Sequence, residues 1–476
     1  MGAKSSVPVS HTLPNGATIV THEIPSLKTC TVLALVHAGS RQEPPGMDGT
    51  AHLLEHVVCR GTVHFSGKQL ATVLDEIGAQ FQSCTAAEYT LFCIRLPTPH
   101  IPIAFQLLSD MVCYPLLARK DVAIEKGVVV EGIRRRHDRP STHLSSLAHT
   151  SLFPHHALGR EVSGTIQDVQ DNCVEHIRHF WNTHYVPSQL TIVACGAFGE
   201  FVVPQLAEKY FHPQCAPSRD IQKLVRRRSR CQTLPPVSRQ KYIHLLRPFH
   251  VNHTARPTHQ CHVVIGFTLP FGYSTHEMFL AHILADLIGG YMSSRIWRAI
   301  RVTEGIAHKV RTKCTFFKDA GTLTLEMGLQ STSCAQGVLI ALHELSKIHR
   351  GHIRSSEVNT AKGYRIGRLF MQSEQSQDLG AMHAMCMLYN KPLLSVEERA
   401  AKYRAVTLQQ IQRLARTALA PNCGCLHHIS STSLRPALRQ AILQWPELRS
   451  EYLAELMREP TPSEDGCARA SPGSHV

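Results

Sequence analysis

The sequence has no unbroken apolar run of about 18 residues, so nothing in it reads as a membrane-spanning helix. Its first residues, MGAKSSVPVSHTLPNG, carry no apolar segment of the secretory kind. Zinc-finger spacing, an RNP-like run and a basic-aromatic stripe are all missing, which argues against a nucleic-acid reader. Gly289-Gly290 is not followed by the Lys-Ser/Thr pair of a phosphate loop, which argues against a nucleotide site. Cysteines are present but not clustered: sixteen lie mostly singly along 476 residues. Disulfide scaffolds are short and cysteine-dense, so reduced thiols and a cytoplasmic setting are expected.

What is present is enough to fold. Hydrophobic residues make up 43% and charged residues 18%, which supports large cores and excludes global disorder. Lys plus Arg number 50 against 36 Asp plus Glu, a formal +14 that favours acidic partners without naming one. The N-terminus fits M-G-x-x-x-S, the myristoylation pattern, which is short enough to arise by chance.

The first half mixes two periodicities. HTLPNGATIVTHEIP is two β-type runs around a Pro-Asn-Gly turn. TCTVLALVHAG, YTLFCIRLP and QLTIVACGAF are apolar strands, whereas GTAHLLEHVVC, KQLATVLDEIGAQ and IPIAFQLLSDMVCYPLL have helical spacing. Residues 221–240 form a basic run ending in Pro235-Pro236 and read as a linker. The order of elements then recurs: CHVVIGFTLPFG, MFLAHILADLIGG, GTLTLEMGLQ and CAQGVLIALHELSKIHRG alternate strand and helix. The expectation is an α+β chain of two homologous domains, at 1–220 and 241–455. A Pro-, Ser- and Gly-rich tail at 456–476 reads as disordered.

Within GTAHLLEHVVCRGT, His52, Glu55 and His56 spell H-x-x-E-H. On a helix the two histidines share a face one turn apart and can fill two corners of a zinc site. Glu55, on the same turn, is placed to deprotonate a metal-bound water. NCGCLHHIS gathers Cys423, Cys425, His427 and His428, but on a strand alternate residues face opposite ways, so these do not converge on a metal.

The region resembles the pitrilysin and mitochondrial-processing-peptidase family of inverted zinc metallopeptidases. The likeness extends through DGTAHLLEHVVCRGT, IGAQFQSCTAAEYTLFC, YVPSQLTIVACGAF and IGGYMSSRIWRAIRVTEGIAHKV, from about residue 8 to about residue 445. It implies two domains, each a mostly antiparallel sheet with flanking helices, closing as a clamshell on a chamber for extended peptides. It also implies one Zn2+ per chain on His52 and His56, Glu55 as general base and Glu125 supporting the metal site. Arg301 matches a substrate-contacting Arg of the family, while His308 and Gln82 stand at substrate-contact positions where the family has Tyr and usually Asn.

The family's third ligand is a glutamate 76 residues after the second histidine, and here that position is Gly132. Glu131 is adjacent, but neighbouring helix positions point about 100° apart. Either a local distortion recruits Glu131 to the metal or the site is degenerate. The resemblance therefore implies a zinc metalloendopeptidase, with a silent peptide-binding or partner subunit as the alternative. It further implies a homodimer or a heterodimer with a related chain and a peptide or unfolded-protein substrate; the missing motifs speak against nucleic acid as a partner.

Overall fold

The computed structural model describes residues 7–211, 249–273, 276–420 and 423–431. The expected linker and C-terminal tail lie outside these residues. Six strands build the first sheet: β1 (Val9–Thr12), β2 (Thr18–Glu23), β3 (Thr29–Val36), β4 (Gln80–Thr85), β5 (Thr90–Pro97) and β6 (Leu190–Gly196). Five build the second: β7 (His250–Ala255), β8 (Gln260–Leu269), β9 (Ala307–Phe316), β10 (Gly321–Gln330) and β11 (Gly424–Ser430). Their orders are β1-β2-β6-β3-β5-β4 and β7-β11-β8-β10-β9.

The second order is the first without β1. In each sheet a single pair is parallel, β2 with β6 and β7 with β11, and the other pairs are antiparallel. The recurrence seen in the sequence is thus a recurrence of topology, and the α+β two-domain fold is as expected.

The continuous apolar runs of β3 and β6 have a physical cause. Sheets covered on both faces need both sets of alternating side chains to be apolar. Cys30, Val32, Ala34 and Val36 pack under the first half's own helices. Leu33, Leu35 and Val193 face the other way, against Ala384. Ala384 sits on the helix Ser376–Leu388, which the second half lays across the first sheet.

The exchange is mutual. The helix Pro140–Leu152 leaves the first half and packs on β8 and β11, where Leu144, Ala148 and Leu152 meet Val264, Cys425 and Ile429. Glycine permits each approach. A Cβ at Gly380 would lie 2.8 Å from Leu33 Cδ1, and one at Gly266 would lie 2.9 Å from Leu152 Cδ1.

Polar contacts lock the same seam. Arg41 donates to Glu88 at 2.5 Å and to both oxygens of Asp319 at 2.8 Å, with Arg41 and Glu88 buried. Thr31 meets Ser376 at 2.8 Å, and His22 meets His383 at 2.8 Å. One expectation is corrected here. Cys261 of β8 and Cys334 of the helix Cys334–His349 form a disulfide, so the thiols are not all reduced. Among the described residues no other two cysteines are joined to each other. Among the described residues no helix is long and apolar enough to cross a membrane.

Candidate metal centre

The helix Thr50–Val58 carries H-x-x-E-H and is anchored by its apolar side. Ala51, Leu53, Leu54, Val57 and Val58 are buried in the first-half core. Its start has no side-chain cap of its own, because Gly49 stands at φ +82°, where a Cβ would lie 2.5 Å from the carbonyl oxygen of Ser163. Glu43 supplies the cap from outside. Its carboxylate accepts from the backbone N–H of Ala51 at 2.7 Å and of Gly49 at 3.1 Å.

His52 and His56 come together as the spacing requires, with ring centroids 4.9 Å apart. His56 Nδ1 lies 3.0 Å from Glu125 Oε2, and Arg60 Nε steadies the other carboxylate oxygen at 3.2 Å. A carboxylate on Nδ1 places the proton there and leaves the Nε2 lone pair available to a metal. His52 Nδ1 is buried with no hydrogen-bond partner among the described residues. Burial first, then His56 and Arg136, push its pKa down to about 3, so its ring is neutral. Glu55, buried, accepts a 2.5 Å hydrogen bond from the Thr85 hydroxyl at the end of β4.

The third donor is where the set stops. The helix Arg119–Asp138 turns Val122, Glu125, Val129 and Ile133 inward, with Gly132 half-buried beside them. A Cβ at Gly132 would meet nothing within 4 Å, so the position is an open place without a ligand. The Glu131 side chain is 72% exposed and lies 3.7 Å from Arg134. The structure does not bring Glu131 to the histidines, and a regular helix is the reason: adjacent positions diverge by about 100°. Among the described residues no three His, Cys, Asp or Glu side chains gather closely enough to hold a metal ion. Two imidazoles fit zinc; the donor set as a whole falls one ligand short of the usual three.

His52 and Glu55 open into a cavity of about 600 Å3. Its walls are β4, the helix Pro140–Leu152 and strands β9 and β10 of the second half, so it lies between the halves. Gln82 is on β4, but its side-chain oxygen accepts from Gln377 at 2.6 Å. Arg301 lies on a π-helical segment, Trp297–Thr303, and donates to the carbonyl of Ala307 at 2.7 Å. With His308 it lines a different cavity, of about 480 Å3, rather than the one holding His52. Glu43, Thr85 and Arg136 were not legible as site residues, since each acts through tertiary proximity and none stands in a spacing pattern.

The chain matches the model of the insulinase family (peptidase family M16) over residues 18–166 and that of the M16 inactive domain over residues 173–363. It is 28% identical to an uncharacterized zinc protease of Streptomyces coelicolor, over 86% of each chain. It is 27% identical to one of Mycobacterium tuberculosis, over 92% of this chain and 98% of that one. Its fold is similar to that of a protease from Helicobacter pylori, with a TM-score of 0.77 at 18% identity over 89% of this chain and 99% of the other.

Proposed function

Because the chain belongs to the M16 peptidase family, we propose that it receives extended peptide between its two sheets, as a peptide-binding subunit in place of a zinc peptidase. The observation that carries this reading is the ligand set. Position 132, which the family resemblance gives as the third ligand, is a glycine with open space beyond it, and Glu131 faces solvent. Zinc held by two imidazoles alone would be weak.

Peptide binding draws on different features. The cavity between the halves is large enough for side chains and is rimmed by β4, an edge strand of its sheet. Edge strands offer unpaired backbone groups to an added peptide strand. Pairing with a second copy or a related chain would complete such a chamber.

A second reading keeps hydrolysis. Glu125 on His56 and Thr85 on Glu55 are arranged as supports for a metal and a base. In that reading a donor from outside the described residues completes the zinc site, and Glu55 serves as the base.

Zinc content of the purified chain, with cleavage and binding of a labelled unstructured peptide, separates the two. Substoichiometric zinc, saturable binding and no chelator-sensitive cleavage are expected. One tightly held zinc per chain with chelator-sensitive cleavage would overturn the proposal.

A further inference from the structure

The face of the helix Arg119–Asp138 that lacks a carboxylate at Gly132 presents a guanidinium one turn later. Arg136 lines the same cavity as His52 and Glu55. Its NH1 donates to the buried Ser163 hydroxyl at 2.7 Å, which holds one corner of the fork. The rest of the fork makes no ion pair or hydrogen bond with a described residue.

Across the cavity, Lys313 of β9 also has no ion-pair partner among the described residues. Each carboxylate that shares the space is held by a neighbour, although the hydroxyls on Glu55 and Glu161 leave their negative charge in place. Glu55 accepts from Thr85 at 2.5 Å, Glu161 from Ser146 at 2.6 Å, and Glu326 lies 3.8 Å from Lys309. Arg160, the remaining cation of the wall, is paired with Asp48. Arg136 and Lys313, the cations of the wall without an ion-pair partner among the described residues, thus line one cavity of about 600 Å3 from different halves.

We infer that this cavity binds a carboxylate, with Arg136 as the recognising cation and Lys313 as a second positive charge. A guanidinium offers two parallel N–H donors that match a carboxylate, which a lone ammonium does not. The carboxylate comes from the peptide of the proposed function, either its C-terminus or an acidic side chain, and the inference rests on that reading.

Two peptide pairs test this by fluorescence anisotropy on the full chain: C-terminal acid against C-terminal amide, and an internal Asp against Asn. Removing the recognised carboxylate should weaken binding by roughly tenfold or more, about the worth of one charge-assisted pair. The pair that responds identifies the source. The difference should vanish in Arg136→Gln and survive in part in Arg136→Lys, with unfolding curves confirming that both variants fold. Equal binding of both members of both pairs overturns the inference and leaves peptide binding standing. An acid preference that persists in Arg136→Gln but is lost to a chelator assigns the carboxylate to a metal and also overturns it. If no peptide binds, the peptide-binding reading itself fails, and the inference fails with it.

Discussion

At the scale of single residues, position 132 decides most. Gly132 has open space beyond its Cα and faces the side of the helix that carries Glu125. Gly132→Glu is therefore expected to raise bound zinc toward one per chain, measured by elemental analysis after dialysis. Glu131→Ala should leave zinc unchanged, because that carboxylate is solvated. The carboxylate introduced by Gly132→Glu would lie one turn from Arg136 and compete for its charge. The gain should thus be larger when Gly132→Glu is combined with Arg136→Gln, and a loss of zinc in Glu131→Ala would contradict the assignment. A second residue-scale effect lies at the seam. Arg41→Ala would leave Glu88 buried beside Asp319 without its cation. Breaking a buried pair from one side costs about 3–5 kcal/mol. Denaturant unfolding should show this loss, and adding Glu88→Gln should recover part of it.

At the scale of elements, the helix Arg119–Asp138 has a weakness unrelated to the site. Gly127 lies in its interior, exposed, and a Cβ there would meet nothing within 4 Å. Gly127→Ala should stabilise the chain by about 0.5–1 kcal/mol, since alanine loses less backbone entropy and meets no neighbour. Thermal unfolding checks this. The motif helix behaves differently, because its start depends on Glu43 from another segment. Its amphipathic spacing was legible in the sequence, as were most strands and the long helices. Its cap was not, because Glu43 and Gly49 are joined only by the turn between them.

At the scale of the whole molecule, each half lays a helix on the other's sheet. Residues 7–211 alone would expose Val20, Leu33, Leu35 and Val193, which the helix Ser376–Leu388 covers. Expressed separately, the halves should aggregate or remain loosely packed, and co-expression should recover soluble complex. A well-folded, monomeric first half would show that the exchange is dispensable. Acid should loosen the whole chain. Burial lowers the pKa of His37 and His184 to about 4 and of His383 to about 3, and moves His149 and His282 the same way. Such groups stay neutral when folded and take up protons on unfolding. Their stability is complete above about pH 6.5 and is lost as pH falls toward the folded values, by up to about 1.4 kcal/mol per group per pH unit. Glu43, raised to about 8, Asp286, raised to about 6, and Glu88, also raised, act in the opposite sense. Five histidines outweigh three carboxyls between pH 5 and pH 6.5. Melting temperature should therefore fall across that range, and less steeply in His383→Gln.

By itself the sequence determined the periodicities, the order of the elements in both halves, the pairing of His52 with His56 and the missing glutamate at 132. Each follows from neighbours a few positions apart or from a count along the chain. The 100° between neighbouring helix positions already turns Glu131 away from the side of Gly132, whereas only the tertiary structure decided that Arg136 enters the cavity and that Arg301 and His308 line another one. It also decided that Cys261 meets Cys334 and that each half covers the other's sheet. The physical reason is that side-chain direction at a helix's far end, and contact between segments hundreds of residues apart, are set by how packed surfaces meet. No local spacing encodes them.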